Sequence, residues 1–263
     1  MTPQAPVQTP WHRYAYPLVA LTRRDVKKRY AGSLLGVAWT VLQPVTLILV
    51  YAVIFGIVLR TDRGEGARSF VMSLLCGMLP YLAINDALQR CSFALKEDKT
   101  LLERETFPAS VIPTSRVATA SIGEVVGLVV VAAISLASGL GSWWLLTLPA
   151  VVGLRVLLTT ALGWMVSLLA VFVSDLNEML SLLLTVWLFL TPIFYAPEVV
   201  PHSLQWTLWI NPLHHVATAY RLVLIEGQPP WPAGLWLVGD VVVAGVAGRW
   251  FFSTAIDRGK DLL

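Results

Sequence analysis

Five cations crowd a short segment near the start of this 263-residue chain: Arg23, Arg24, Lys27, Lys28 and Arg29, followed by Tyr30. Wound at about 100° per residue, residues 11–30 divide into two faces. Arg13, Arg23, Arg24, Lys27 and Lys28 share one, and Trp11, Tyr14, Leu18, Val19, Leu21, Val26 and Tyr30 share the other. Asp25 and Arg29 intrude on the apolar side, so the separation is incomplete. A helix of this kind lies in a membrane interface with its basic face toward phosphate-bearing headgroups. The same charges also suit a simpler role, fixing the orientation of the span that follows. That role leaves the amphipathic arrangement unexplained.

A second set of charges falls inside apolar runs, where ionisable groups are costly and are paired or functional. Asp86 and Arg90 stand one helical turn apart and can satisfy each other. Glu124 and Arg155 lie on two apolar runs joined by a turn at residues 139–144, at depths that differ by roughly 6 Å at helical rise. An arginine reaches that far, so the spacing predicts a Glu124–Arg155 pair; the alternative is that one or both line a polar channel. Asp240 has no evident partner. His202, His214 and His215 lack metal-ligand spacing and read as surface or interfacial groups. Cys76 and Cys91 fall on one helix, over ~20 Å apart and beyond disulfide reach. No phosphate-binding G-x-x-x-x-G-K-[ST] loop, H-E-x-x-H, G-x-S-x-G or C-x-x-C occurs, so neither nucleotide hydrolysis nor a recognisable catalytic constellation is expected of this chain.

The elements that must carry these groups are membrane helices. The chain is 56% hydrophobic and 13% charged, against about 25% charged residues in soluble domains. Its slight basic excess sits in loops and does not form a nucleic-acid surface. Runs long enough to span occur at residues 34–59, 70–89, 117–138, 144–173, 179–195 and 233–254. Fourteen Lys and Arg fall on the side of both termini and four on the other, which predicts both termini inside. The expected fold is all-α: a polytopic membrane protein with about six transmembrane helices, an N-terminal amphipathic interface helix and a re-entrant outer helical hairpin. Residues 1–10 read as a disordered tail without a signal peptide, 11–32 as the interface helix and 33–263 as one transmembrane domain.

Two connections stand out. The inner loop at residues 95–113 predicts a helix of about three turns. Leu101, Leu102 and Phe107 supply apolar groups to wedge into a partner's cleft, and Glu103, Arg104 and Glu105 supply docking charges. The outer stretch at residues 197–230 is apolar but broken by prolines, with Pro192 just before it. It predicts two short helices at residues 203–210 and 212–225, both dipping in from the outer face, as broken backbone does where it lines a gate or vestibule. Pro192, Phe194, Tyr195, Trp206 and Trp209 are the candidate gate residues.

Three motifs carry a family resemblance. Arg24-Asp25-Val26-Lys27-Lys28-Arg29-Tyr30, with Gly32-Ser33-Leu34-Leu35-Gly36-Val37-Ala38-Trp39 and Leu42-Gln43-Pro44, resembles the opening of the membrane permease subunits of ABC transporters that export polysaccharides, the O-antigen, capsule and teichoic-acid exporters. Phe107-Pro108 is the second match. Trp187-Leu188-Phe189-Leu190-Thr191-Pro192-Ile193-Phe194-Tyr195 leading to Asn211-Pro212 is the third. Arg155 stands outside that pattern. The resemblance implies a second copy of the chain and two copies of a separate cytoplasmic ATPase, on which ATP and Mg would bind, with no cofactor on this chain. It also implies a bacterial inner-membrane location, and as cargo a lipid-linked glycan such as a polymer on undecaprenyl pyrophosphate. The basic segment from Arg23 to Tyr30 would then meet the anionic anchor, among membrane lipids. A related permease for a drug or small amphiphile, an intramembrane enzyme acting on lipid-linked sugar and a secondary transporter are the competing readings.

Overall fold

The computed structural model describes residues 10–29, 31–51, 53–54, 66–103 and 107–262. Among them there is no β-strand. Helix α1 (Pro10–Arg29) ends just before Gly32, whose φ of 79° is left-handed and terminates the amphipathic segment. A 3-10 turn at Gly36–Ala38 leads into α2 (Trp39–Tyr51). Helix α3 (Gly66–Glu97) has 32 residues, about 48 Å of rise at helical geometry. A four-residue turn, α4 (Lys99–Leu102), follows. Helices α5 (Val111–Ala137) and α6 (Leu148–Phe172) form the hairpin expected around residues 139–144. The turn into α6 is held by Ser142 Oγ, which accepts from the Trp144 amide at 3.2 Å. Then come α7 (Leu176–Leu190), the short turn α8 (Trp206–Trp209), α9 (Pro212–Arg221) and α10 (Trp231–Asp261).

Among the described residues, four helical stretches are long and apolar enough to cross a bilayer: Phe70–Glu97, Val111–Ala137, Trp143–Phe172 and Trp231–Leu262. Of the other two expected spans, one is shorter and one lies partly outside the described residues. Helix α7 has 15 residues, about 22 Å of rise, less than a hydrocarbon core of about 30 Å. It stops at Thr191 because Pro192 cannot donate a backbone hydrogen bond onward. In the first run, α2 starts only after the break at Gly36, and residues 55–65 lie outside the described ones.

Helix α3 is the axis of the bundle. Leu74, Cys76, Ile84, Ala87, Cys91 and Ala94 along it are fully buried, against α5, α6, α7 and α9. Helix α10 lies on α6, and the approach is close: a Cβ on Gly248 would stand 2.6 Å from the carbonyl oxygen of Ala161. Two apolar clusters mark the ends of the bundle. At the base, Leu21, Leu95, Leu102, Ile112, Leu168 and Phe252 pack together. At the top, Leu75, Leu128, Leu158, Val216, Tyr220 and Leu237 do so. Large apolar side chains on α2, α7 and α10 face outward, among them Leu49, Leu182, Phe189, Val243 and Val246. An exposed apolar belt of this extent is a lipid-facing surface.

Candidate functional site: a polar cleft between two buried charge networks

The base is closed by ion pairs that the sequence did not announce. Arg116 opens α5 and reaches Asp25 at 2.6 Å, Asp98 at 2.9 Å and Glu97 at 3.0 Å. Arg24 meets Asp98 at 2.6 Å and Asp25 at 3.3 Å. Ser115 Oγ donates to Asp25 at 3.2 Å. Asp25, Asp98 and Arg116 are all buried. The hydrogen bond from Arg24 to Asp98, with the charges of Asp98 and Asp25, raises the Arg24 guanidinium above the usual arginine value, while partial burial pulls the other way. Asp25 looked like an intruder on an apolar face; it is the group that fastens α1 to α5. Its one available signal was that position: an acid among apolar neighbours needs a buried partner.

This network divides the five basic residues. Arg23, Lys27 and Lys28 are exposed, whereas Arg24 and Arg29 turn inward and are half-buried. Arg29 pairs with Asp86 at 2.7 Å, and Asp86 pairs with Arg90 at 2.9 Å. The structure therefore brings Asp86 and Arg90 together as their spacing predicts, and adds Arg29 as a third member. Tyr30 lies outside the described residues.

Above this triplet opens a cleft of about 370 Å³ between α1, α2, α3 and α5. Arg29, Asp86, Asn85, Gln89 and Gln43 line it, with Thr119 and Glu124 on the α5 wall and Pro44, Leu47 and Leu82 among the apolar ones. Gln89 donates to Asn85 Oδ1 at 3.3 Å. The lining offers many hydrogen-bond donors and acceptors at a depth where most neighbours are apolar. Such a wall suits a hydroxyl-rich ligand; it has few free charges to offer a bare phosphate.

Glu124 marks the deep end of the cleft. Its Oε2 is held by Arg155 Nη2, and its Oε1 accepts from the Tyr220 hydroxyl at 2.9 Å. Arg155 Nη1 also donates to Ser121 Oγ at 3.2 Å. The side chains of Glu124 and Arg155 are fully buried, and Arg155 Nε has no acceptor among the described residues. The two charges thus meet across the hairpin of α5 and α6. Tyr220 is the unforeseen member: it ties α9, in the outer stretch, to the wall of the cleft.

The inner loop departs from its expected form. Helix α3 runs to Glu97, breaks at Asp98 and resumes for only the four residues of α4. The break falls where Asp98 is drawn inward by Arg24 and Arg116. Leu102 is buried in the base cluster, and Leu101 and Phe107 pack against it. These three side chains therefore fill the chain's own core and do not stand out to wedge into a partner. Lys96, Thr100 and Glu103 are exposed; Arg104 and Glu105 lie outside the described residues.

The outer stretch also divides. Its first half consists of 3-10 turns at Pro197–Val199 and His202–Leu204 and the turn α8. It lies at the surface, with Ser203, Trp206 and Trp209 exposed. Its second half is embedded: Leu213, His215, Val216, Ala217, Ala219 and Tyr220 on α9 are buried. Only this half packs into the bundle. His215 is buried and meets Asp240 at 2.7 Å, so neither is the isolated surface group expected of it. One hydrogen-bonded joint hinges the stretch. Asn211 Oδ1 caps α9 at the Leu213 amide, 3.1 Å away, and accepts from Trp187 Nε1 at 2.8 Å. Asn211 Nδ2 donates to Thr191 Oγ1 at 2.9 Å. Arg221 Nη2 donates to the Pro192 carbonyl at 2.8 Å, Phe194 packs on the cluster around Ile193, and the Tyr195 hydroxyl donates to the Phe189 carbonyl at 2.9 Å.

Comparison with known proteins agrees with this architecture. The profile of the family described as ABC-2 type transporter matches residues 16–225. The O-antigen export system permease protein RfbA of Myxococcus xanthus is 30% identical over 222 residues, 83% of this chain and 84% of that one. A protein of the same name from Klebsiella pneumoniae is 26% identical over 248 residues, 94% of each chain. The polysialic acid transport protein KpsM of Escherichia coli is 23% identical over 214 residues, 79% of this chain and 81% of that one. The matched residues run from α1 through the cleft, both charge networks and the outer joint, and the chain belongs to the ABC-2 type transporter family.

Proposed function

We propose that this chain is the permease subunit of an ATP-driven exporter that moves a lipid-linked polysaccharide across the bacterial inner membrane, with both termini cytoplasmic. The observation that carries the reading is the match, along most of the chain, to transport proteins named for O-antigen export and for polysialic acid transport. Two features of the molecule support it. The cleft presents amide, hydroxyl and carboxyl groups suited to a hydroxylated polymer. Arg23, Lys27 and Lys28 point outward at the base, where each cation near anionic phosphate contributes about 1 kcal/mol. They are the basic residues best placed for a pyrophosphate anchor, since Arg24 and Arg29 are already paired.

In this reading the chain acts as two copies above two copies of a separate ATPase, which binds ATP and Mg and supplies the work. Deletion of the gene should cause lipid-linked glycan to accumulate on the inner side, and restoring the gene should clear it. Unchanged surface glycan in the deletion strain would sink the reading. ATP hydrolysis that appears only when the permease is purified with its partner would exclude an intramembrane enzyme.

A further inference from the structure

A second concavity lies at the top of the bundle, far from the cleft. It has a volume of about 380 Å³ and sits between the surface turns of the outer stretch, α9 and the first turns of α10. Two indoles frame it. Trp209 and Trp236 stand edge to face with ring centroids 5.6 Å apart, and the His215 imidazole stacks on Trp236 at 5.8 Å. Asp240 fixes that imidazole at 2.7 Å, so the platform is braced from behind. Between the indoles and the opposite wall are Glu198, Gln205, His214 and Thr218. The Nδ1 atom of His214 is buried and has no partner among the described residues.

Tryptophans exposed near a membrane surface commonly serve as interfacial anchors, lying flat along the lipid face. These two instead meet at an angle across a hollow, and the hollow carries polar groups. The polar groups limit what it can hold. Glu198 gives the rim negative charge, and no Lys or Arg lines it, so an anionic lipid headgroup would meet like charge. An apolar guest would leave Gln205, Thr218 and the His214 nitrogen without partners, which is costly. A pyranose satisfies both demands. Its C–H face packs on an indole, and its hydroxyls exchange hydrogen bonds with a carboxylate, an amide and an imidazole.

We propose that this pocket is a saccharide-binding site that takes a sugar ring of the glycan on the outer side of the membrane. The inference deepens the export reading and rests on it. Because α9 forms one wall and also holds Glu124 through Tyr220, an occupied pocket braces the same helix that reaches the cleft.

The test uses the complete transporter, permease with its ATPase, in phosphatidylcholine nanodiscs. The probe is the lipid-free polysaccharide released by mild acid from the surface of the cell that carries this gene, and binding is followed by calorimetry. Saturable binding is expected, weakened about ten-fold or more in Trp236→Ala and in Glu198→Gln. It should be unchanged in Trp250→Ala, an exposed tryptophan at the other end of α10. Trp236 is half exposed and Glu198 lies at the surface, so both variants are expected to fold, and a melting curve for each verifies it. No saturable binding by the native transporter, or equal affinity in all variants, overturns the site. So does loss of binding when phosphatidylglycerol replaces phosphatidylcholine, because a lipid headgroup would then be the occupant. Export in the deletion and complementation assay is read separately: normal dependence on the gene with no binding defeats the pocket alone, whereas independence from the gene defeats the export reading itself.

Discussion

At the scale of single residues, burial decides what each charge can do. Glu124 and Arg155 meet in the interior with both side chains fully buried, where either charge alone would be costly. Removing one partner of a buried pair costs about 3–5 kcal/mol, since the survivor is left unpaired. Tyr220→Phe removes only a hydrogen bond to a charged group, about 1.5–3 kcal/mol. Melting of the purified permease should therefore fall further for Glu124→Gln than for Tyr220→Phe, and Glu124→Gln with Arg155→Gln should recover part of the loss. Equal melting for the two single variants would show that the pair does not hold its charge. Asp25 follows the same logic. Asp25→Asn leaves Arg116 with fewer compensating carboxylates and loosens α1, so trypsin should cut among Arg23–Arg29 faster than in the native chain. Exposed Arg23→Gln should leave the remaining cleavages at their native rate. If Asp25→Asn is as resistant as the native chain, the base network does not secure α1.

At the scale of elements, small residues set how closely helices approach. Gly248 faces a backbone carbonyl on α6 that cannot rotate away, while the nearby Gly245 faces open space. Gly248→Ala should therefore separate α10 from α6 and lower the melting temperature, by an overpacking cost of about 1–3 kcal/mol. Gly245→Ala should be neutral or slightly stabilising, since alanine is the better helix former. Comparable losses in the two variants would contradict the packing. The outer stretch offers a second contrast between elements. A cysteine at Ser203, on the exposed turn, should react quickly with a water-soluble maleimide, and one at Val216, on the buried face of α9, slowly. Equal rates would mean that α9 is not embedded.

At the scale of the whole molecule, α3 connects the two ends. It runs from the top to the base, packs against α5, α6 and α9, and ends beside the exposed residues Lys96, Thr100 and Glu103. A push at the base would therefore reach α9 through one continuous helix, with the Glu124–Tyr220 contact as a second link. Substituting Thr100→Arg with Glu103→Arg should weaken recovery of the ATPase with the permease while the permease melts normally. Leu102→Ala acts differently, because Leu102 belongs to the chain's own base cluster; it should lower permease stability by about 2–5 kcal/mol. Unimpaired recovery of the ATPase with the double arginine variant would move the docking surface elsewhere.

Much of this was already written in the chain. Apolar runs of span length, the scarcity of charge and the glycine after Arg29 determine an all-helical membrane protein with an amphipathic first helix, because hydrocarbon tolerates no unsatisfied backbone. Local spacing sufficed for Asp86 with Arg90, and depth counted from a turn sufficed for Glu124 with Arg155. The tertiary structure alone decided which basic residues stay free, because that depends on Asp86, 57 positions from Arg29, and Asp98, 74 positions from Arg24, folding back onto the basic segment. It decided that Leu102 and Phe107 turn inward, since amphipathicity reports an apolar face but not which surface covers it. It decided that Tyr220 and Asp240 have partners, and that Trp187, Thr191 and Asn211 form one joint. Hydrogen bonds between side chains are directional and short, and no periodicity in one dimension encodes which distant groups will come within 3 Å of each other.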